Sequence, residues 1–354
     1  MSDADVLIAE PELRSYAASI VRAAGSQAGE ADKVAAQLVE ANLRGHDSHG
    51  VGLLPDYVRN VKAGTLKPNQ AAVVAKETDT LAVIDGHHGY GQVIGEQAMN
   101  IGVAKAKRSG MALVAIRRTH HLGRIGHWAE QCCAAGLASI HFTSVASNPC
   151  VAPWGGSDAR LGTNPFTCGV PVEGDEPVIL DMATSRLPVG KVRVAHNRKK
   201  KIIDGALIDA QGRPTNDPGV YFTPPRGTLL PFGEHKGYAL GLIVELFAGA
   251  LTGGGTISLG PDAPKGIINN MFSVIVDPVA LGTARAFYDE VDAMVRFVKA
   301  SPPAPGTDAV LVPGDPERRA RRERLAKGIP IDSGTWAVVG EAARSVGIEP
   351  PQRS

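Results

Sequence analysis

The segment LAVIDGHHGYGQVIG, Leu81–Gly95, decides which kind of fold the chain can adopt. An apolar stretch typical of a strand leads into Gly89, Gly91 and Gly95 and then into a helical pattern, as in a Rossmann dinucleotide-binding motif. The third glycine comes one position late, and the next strand ends in Arg117–Arg118, where that motif places an acidic ribose ligand. The arginines would suit a 2′-phosphate, but a tight turn without a ligand fits at least as well. We therefore predict a strand, a turn and a helix here, and no Rossmann fold.

Helical and strand patterns extend on both sides of this segment. Upstream, apolar residues recur at helical spacing and glycines stand where helices can end, so we predict three short helices in the first 64 residues. From about residue 71, apolar β-rich segments alternate with helical patterns such as Gln92–Arg108 and Gly237–Leu251, which predicts an α/β sandwich. The helix-ending glycines are Gly25, Gly45 and Gly64, and the strand segments read AVVAK, TLAVIDG, MALVAIR, LASIHFTS, PVILDMA and MFSVIVD.

The chain divides into three predicted parts. Residues 1–70 form an N-terminal helical unit, residues 71–300 a central α/β domain, and residues 301–354 a segment that packs back on the helical unit. The last part opens with the Pro/Gly-rich stretch ASPPAPGTDAVLVPGDPE, and the basic run RRARRERLAKG follows as an exposed helix. We interpret this run as a solvated helix face rather than as a binding patch.

Composition excludes several function classes. The 37 Lys and Arg residues nearly balance 36 Asp and Glu residues among 354, so no strong field attracts nucleic acid or an anionic membrane. Four cysteines follow no disulfide-module spacing, and no basic segment leads into an apolar run at the N-terminus, which predicts a reduced, cytoplasmic protein. The apolar stretch GYALGLIVELFAGALTGG contains Glu245 and falls short of the ~20 continuous apolar residues of a membrane span. We predict a buried helix there.

The segment RRTHHLGRIGHWAEQCC offers five potential zinc ligands: His120, His121, His127, Cys132 and Cys133. A zinc-dependent hydrolase using the three histidines is therefore one alternative function, and a non-catalytic scaffold is another. The segment lacks a paired-cysteine knuckle and a His-Glu-x-x-His helix, so core cysteines are the better interpretation. A histidine that follows the strand MALVAIR has a position typical of α/β active sites, which singles out His120 or His121.

The stretch NLRGHDSHGVGLLPDYV, Asn42–Val58, concentrates two histidines, an aspartate and a serine in four positions. Imidazole suits proton transfer near neutral pH, and Ser48 could orient His49, although neighbouring side chains on a regular backbone do not face each other. The alternative is a capped turn in which Asp47 or Ser48 bonds the amides of a helix predicted at Leu53–Val61. From these residues alone, the two interpretations are about equal.

Long motifs resemble one known family. The segments RGHDSHGVGLLPDYV, HHLGRIGHWAEQC, VAPWGG…RLGTNPF, VILDMATS and EHKGYALGLIVELFAGALTGG stand in the order seen in type-2 malate/L-lactate dehydrogenases, which include ureidoglycolate, sulfolactate and diketogulonate enzymes. The resemblance spans nearly the whole chain, and GRIGHWAEQC and RRERLAKGIPIDSGTW resemble the hydroxycarboxylate dehydrogenase B subgroup. It implies a non-Rossmann fold: a helical unit built from both chain ends and a central α/β domain with a mixed sheet and its own mode of dinucleotide binding, usually in a homodimer.

The resemblance also implies a reaction, the NAD(P)-dependent interconversion of 2-oxo and 2-hydroxycarboxylic acids. His49 would exchange a proton with the substrate oxygen, with an apparent pKa within a unit or two of about 6.5, and Ser48 would orient its ring. Many family members carry an arginine four residues after this histidine, but this chain has Leu53. We hypothesise that Arg124 binds the substrate carboxylate, although it could instead contact only cofactor or surface, and that His121 borders the substrate.

Cofactor contacts are implied at several further positions. Lys236 is a natural phosphate partner, whereas Asp181 would accept a hydrogen bond from a ribose hydroxyl or from backbone amides. Gly162–Pro165 fits a structural turn as well as a ligand contact. The basic segment His196–Ile202 either favours NADPH or is a solvated loop. Resemblance to the hydroxycarboxylate dehydrogenase B subgroup favours NAD, so we predict NAD, with NADP as the alternative. The implied contacts are His49, His121, Gly123, Arg124, Ile125, Ile179, Leu180, Asp181, Met182, Ala183, His235, Lys236, Asn269, Val312, Pro313, Gly314 and Asp315, and we predict no metal site.

Overall fold

Helices dominate the two ends of the chain and strands dominate the middle. The computed structural model describes residues 5–147, 149–258 and 265–351. The helices in these ranges are α1 Glu10–Ala23, α2 Ala28–Leu43, α3 Leu54–Lys62, α4 Gly91–Ser109, α5 Gly126–Ala134, α6 Val189–Asn197, α7 Gly219–Phe222, α8 His235–Glu245, α9 Ala284–Lys299, α10 Asp315–Lys327 and α11 Ser333–Arg344. The strands are β1 Val6–Ile8, β2 Val73–Glu77, β3 Leu81–Asp85, β4 Met111–Thr119, β5 Ala138–Val145, β6 Phe166–Val170, β7 Val178–Met182, β8 Leu207–Ile208, β9 Pro214–Thr215, β10 Thr228–Leu229, β11 Asn269–Val276 and β12 Ile329–Ile331.

The three predicted N-terminal helices are confirmed as α1, α2 and α3. Each ends two residues before one of the predicted glycines, and Gly25, Gly45 and Gly64 have φ values of 115°, 80° and 71°. Glycine adopts this left-handed conformation without the steric cost that a side chain brings, so it lets the chain leave the helix.

The central sheet has seven strands within the described residues, in the order β2-β3-β4-β11-β5-β6-β7. β3 and β4 pair in parallel, and the other neighbours pair antiparallel. The predicted α/β fold with a mixed sheet is therefore confirmed. Helices α4 and α5 cover one face, where Trp128 and Met99 are fully buried.

The glycines of the segment Leu81–Gly95 allow close packing. β3 and α4 form as predicted, and a Cβ on Gly91 would lie 2.3 Å from the His121 carbonyl oxygen. A Cβ on Gly95 would lie 2.5 Å from the Trp128 ring. Helix α4 can thus approach the loop that follows β4, which places His121 against the start of this helix.

Both ends of the chain contribute to one hydrophobic cluster. Leu13 and Leu38 from the first helices share it with Ile331 and Val339 from the C-terminal part. β1 also pairs with β12 in an antiparallel ribbon. Since the same cluster includes Tyr90 at the start of α4, it continues into the α/β part, and the exact domain boundaries stay predictions.

The prediction that GYALGLIVELFAGALTGG forms a buried helix is wrong for one face of that helix. α8 continues as a π-helical segment, Leu246–Leu251, along the sheet. Val244 and Ala248 are buried, but an apolar row points outward because the sheet covers only one side of the helix. No helix among the described residues is long and apolar enough to cross a membrane. The exposed residues are Leu242, Ile243, Leu246, Phe247 and Leu251.

The arginine-rich helix α10 is only partly the solvated face that its sequence predicts. Arg319 and Arg322 are exposed. Three other arginines, spaced by three residues along one edge of the helix, form ion pairs. Arg318 pairs with Asp315 at 2.6 Å, Arg321 with Glu40 at 2.9 Å, and Arg324 with Asp47 at 2.6 Å. This edge binds α10 to α2 and to the turn that follows it.

Candidate active site

The turn that carries His49 is built on the end of α2. Residues Asp47–His49 form a short 3-10 helix. The buried Asn42 side chain holds both sides of this turn, because its Nδ2 donates to Asp47 Oδ1 at 2.7 Å and its Oδ1 accepts from the Val51 amide at 2.9 Å. A Cβ on Gly50 would lie 2.2 Å from Asn42 Oδ1, so this position requires glycine.

Ser48 and His49 face each other, contrary to the expectation for neighbouring side chains. Ser48 Oγ lies 2.9 Å from His49 Nδ1, because the tight 3-10 turn replaces regular backbone here. The capped-turn alternative is not what the described contacts show. Asp47 accepts from Arg324 at 2.6 and 3.0 Å and from Asn42, and the following helix α3 starts at Leu54.

Ser48 and His49 line a cavity of about 750 Å³ between the N-terminal helices, β7, α6 and α10. Helix α6 approaches closely, since a Cβ on Gly190 would lie 2.2 Å from Ser48 Cβ. Predicted residues in the wall are Ser48, His49, Arg124, Ile125, Asp181, Met182 and Ala183. Thr163 and Pro165 of the RLGTNPF motif also line it, while Asn164 between them is buried and donates to Glu245 at 2.7 Å.

His121 stands directly beside His49. The two imidazole rings stack with centroids 5.4 Å apart and an interplanar angle of 21°. His121 Nδ1 lies 2.7 Å from the Tyr57 hydroxyl. His120 points elsewhere: it is buried, and its Nε2 lies 2.9 Å from Asn60 Nδ2. Of the two candidate loop histidines, the structure brings only His121 to His49.

Burial lowers the pKa of His49 to about 4, and nearby ionisable groups shift this pKa in both directions. His46 and Arg124 lower this pKa further, whereas Asp181 raises it. The value lies below the range predicted from sequence because desolvation disfavours the imidazolium. Burial also holds the pKa of His121 well below its ordinary value, with His49 as the next largest cause. Both rings are therefore neutral at pH 7.

Arg124 and Asp181 are held by the protein. Arg124 is 4% exposed and donates to Glu130 at 2.5 Å, and its other guanidinium nitrogen lies 4.0 Å from Asp181. Asp181 accepts from the Gly126 amide at 2.8 Å and from the Thr167 hydroxyl at 3.0 Å. Of the two partners predicted for Asp181, the structure thus provides a backbone amide. Leu53, at the position of the family's arginine, is buried in the helical core.

The other predicted cofactor positions lie in three places. Ile179 and Leu180 belong to β7, and the Ile179 amide donates to Pro313 O, which joins this strand to the Val312–Asp315 segment before α10. His235 and Lys236 line a second cavity of about 520 Å³. Asn269 is buried below the loop of Gly123, where its Oδ1 accepts from the Leu122 amide at 2.9 Å.

Several cavity residues carry no local sequence signal. Arg44, Lys191 and Glu317 come from three separate parts of the chain that only the fold brings together, whereas His46, which also lines the cavity, belongs to the HDSH stretch. Arg186 lines both cavities and follows the VILDMATS motif directly, so its position beside the predicted cofactor segment could have indicated it.

The zinc alternative lacks a ligand set. Among the described residues, no group of three or more His, Cys, Asp or Glu side chains is placed to hold a metal. Cys132 and Cys133 are buried, and desolvation raises the pKa of each thiol to about 12. His127 packs edge-on against Trp128. The cysteines are core residues, as predicted.

Comparison with known proteins agrees with this architecture. The model of the malate/L-lactate dehydrogenase family matches residues 8–339. The chain is 44% identical to hydroxycarboxylate dehydrogenase B of Escherichia coli (strain K12) over 341 residues, 95% of this chain and 93% of the relative. It is 39% identical to L-lactate dehydrogenase of Cupriavidus necator over 343 residues, 96% of this chain and 97% of the relative.

Solved structures give the same result. A proposed malate/lactate dehydrogenase from E. coli superposes with a TM-score of 0.91 at 43% identity, covering 97% of this chain and 96% of the other. The family model spans the central sheet and the His49 turn, and the relatives match over nearly their whole length. The chain belongs to the malate/L-lactate dehydrogenase family.

Proposed function

We propose that the protein is an NAD(P)-dependent oxidoreductase that interconverts 2-oxo acids and 2-hydroxycarboxylic acids, with His49 as the acid and base. The observation that carries this proposal is the Ser48–His49 pair in the wall of a large cavity that cationic side chains also line. A neutral imidazole with one nitrogen engaged and the other free is the arrangement that proton transfer requires.

The residues divide the reaction between them. A bound nicotinamide supplies or accepts the hydride at the substrate carbon. Since Ser48 engages Nδ1 of His49, Nε2 remains to donate a proton to the oxo oxygen during reduction and to remove it from the hydroxyl during oxidation. Ser48 keeps the ring oriented for both directions.

The cavities fit a dinucleotide in size and charge. Their volumes of about 750 and 520 Å³ lie in the range of cofactor sites. Arg186 lines both, and Lys191 lies on the first turn of α6; neither takes part in an ion pair among the described residues. Unpaired cations favour a diphosphate, which Lys236 in the second cavity would also bind.

We propose NAD as the cofactor, with NADP as the alternative. Four consecutive cations, residues 198–201, could meet a 2′-phosphate, but Arg198 already pairs with Asp5. Lys199, Lys200 and Lys201 are exposed and lie outside the described linings of the two cavities. These contacts favour the solvated-loop interpretation of the basic segment.

The experiment that tests the function is a panel of 2-oxo acids, each assayed with NADH and NADPH in parallel. We expect absorbance of the reduced nicotinamide to fall with at least one acid, and kcat/KM to be higher with NADH. Activity unchanged by a chelator excludes the zinc hydrolase. If no 2-oxo acid is turned over with either cofactor, the non-catalytic scaffold is the alternative that remains.

Arg124 is proposed to bind the substrate carboxylate, since it lines the His49 cavity and a guanidinium can bind a carboxylate through two hydrogen bonds. Arg124→Ala should raise the KM for the 2-oxo acid about tenfold or more, because a charge-assisted pair is lost. Glu130 keeps Arg44 as a partner at 3.1 Å, so the variant should fold. Arg285→Ala, which removes an exposed arginine, is the control. An unchanged KM and kcat/KM in Arg124→Ala would show that this arginine does not bind substrate.

A homodimer and a cytoplasmic location complete the proposal. The exposed apolar row on α8 and the segment after it is the kind of surface that a second subunit covers. The four cysteines are free thiols, which fits a reducing compartment.

A further inference from the structure

The ring that stacks on His49 is held by a chain of buried side chains. The Tyr57 hydroxyl lies 2.7 Å from His121 Nδ1 and accepts from Gln92 Nε2, also at 2.7 Å. Tyr57 is 1% exposed and Gln92 is fully buried. The three side chains come from the loop after β4, from α3 and from α4, so the fold assembles this chain from distant parts of the sequence.

The direction of these hydrogen bonds determines where the His121 proton lies. The amide nitrogen of Gln92 can only donate, so it occupies a lone pair of the Tyr57 oxygen, and the Tyr57 O–H points to His121 Nδ1. A neutral imidazole that accepts at Nδ1 carries its proton on Nε2. Burial raises the pKa of Tyr57 and lowers that of His121, which keeps the phenol protonated and the imidazole neutral.

The backbone around His121 is fixed as well. Gly91 lets α4 pack against the His121 carbonyl, and Asn269 Oδ1 accepts from the Leu122 amide at 2.9 Å. These contacts fix the backbone of the loop on both sides, but they do not fix which of the two ring nitrogens of His121 carries the proton. The hydrogen bond from Tyr57 therefore decides which nitrogen carries it.

We propose that Tyr57 and Gln92 are positioning residues that fix the Nε2–H form of His121, and that His121 then donates a hydrogen bond to an oxygen of the 2-oxo acid beside His49. This inference rests on the proposed function. A neutral donor is required at this place, because a second imidazolium stacked on His49 would repel the proton that His49 must carry during reduction.

Nitrogen NMR of the protein labelled with 15N-histidine tests the hydrogen-bond chain without any turnover. We expect the His121 ring, assigned with His121→Gln, to show a hydrogen-bonded, unprotonated Nδ1 and a protonated Nε2. In Tyr57→Phe the Nδ1 signal should shift or broaden as the bond is lost and the other tautomer becomes populated. Tyr90→Phe is the matched control: Tyr90 is a buried neighbour of Tyr57, with ring centroids 5.6 Å apart, and it should leave the His121 signals unchanged.

Turnover tests the role in catalysis. Tyr57→Phe should lower kcat about five- to tenfold, the effect of one lost hydrogen bond between neutral groups, while the Kd of the dinucleotide changes less than twofold. Gln92→Leu should also lower kcat, and it replaces Tyr57→Phe as the test if that variant does not fold. A wild-type His121 protonated on Nδ1, an unchanged Nδ1 signal in Tyr57→Phe, or a kcat within twofold of wild type would overturn the inference. If wild-type protein reduces no 2-oxo acid, the proposed function fails, and the NMR result still decides the hydrogen-bond chain.

Discussion

His49 combines a hydrogen-bond partner with a desolvated position, and this combination determines its pH response. Burial is the largest of the effects that lower its pKa to about 4. Oxidation needs the neutral imidazole, so kcat/KM for a 2-hydroxy acid should change less than twofold between pH 6 and 8. An ordinary imidazole with a pKa of about 6.5 would give about a fourfold rise over this interval.

The pH profile should be measured in both directions. Reduction needs the imidazolium, so its kcat/KM should fall with rising pH throughout this range, because kcat/KM reports the free enzyme. An oxidation limb with its midpoint at or above pH 6.5 would contradict the desolvated His49.

The sequence indicated candidate residues with distinctive chemistry and the pairing of Ser48 with His49, but not the buried partners farther along the chain. The HDSH pattern left a proton-transfer pair and a capped turn about equal, and the family resemblance favoured His49 with Ser48. Tyr57 and Gln92 are ordinary members of helical patterns, and only the crossing of α3 and α4 brings them to His121. The depth of burial, which sets the pKa of His49, is likewise a property of the packed cavity.

Among the secondary-structure elements, helix α10 holds the His49 turn from outside. Arg324 donates to both Asp47 carboxylate oxygens and to the Asn42 carbonyl. Arg324→Ala should lower kcat about fivefold, since a partly exposed ion pair is worth up to about 1 kcal/mol and its loss frees the turn. Arg322→Ala, on the exposed side of the same helix, should leave kcat unchanged. Equal kcat values for the two variants would mean that α10 does not position the turn.

Element types were predictable where the pattern was long. The first three helices, α4 and the strands β3, β4, β5 and β11 follow their apolar periodicity. β6, FTCGV, escaped prediction because its alternation is short and includes Gly169, which packs against Cys133 and Ala129 of α5. The π-helical turn after α8 has no periodicity signal of its own. The strand order of the sheet depends on long-range pairing that spacing does not reveal.

At the scale of the whole molecule, the exposed apolar row predicts association. Light scattering should give twice the chain mass of 37.0 kDa. Leu251→Glu, at a residue 61% exposed, should shift the protein toward monomer, because a charge in an apolar interface is costly to desolvate. Leu281→Glu, at a residue 66% exposed on another segment, is the control. A monomeric wild type would contradict the homodimer.

The most direct test of His49 as the acid and base is the kcat of His49→Gln, measured together with the Kd of the dinucleotide and the melting temperature. We expect a folded variant whose kcat falls roughly 10²–10⁴-fold, the usual contribution of a positioned acid–base group. Dinucleotide affinity should stay within twofold, because the proposed phosphate contacts are Arg186, Lys191 and Lys236. Ser48→Ala should lower kcat less than His49→Gln does, since it removes only the orienting hydrogen bond. A folded His49→Gln variant with near-wild-type turnover would contradict this role and remove His49 from the mechanism.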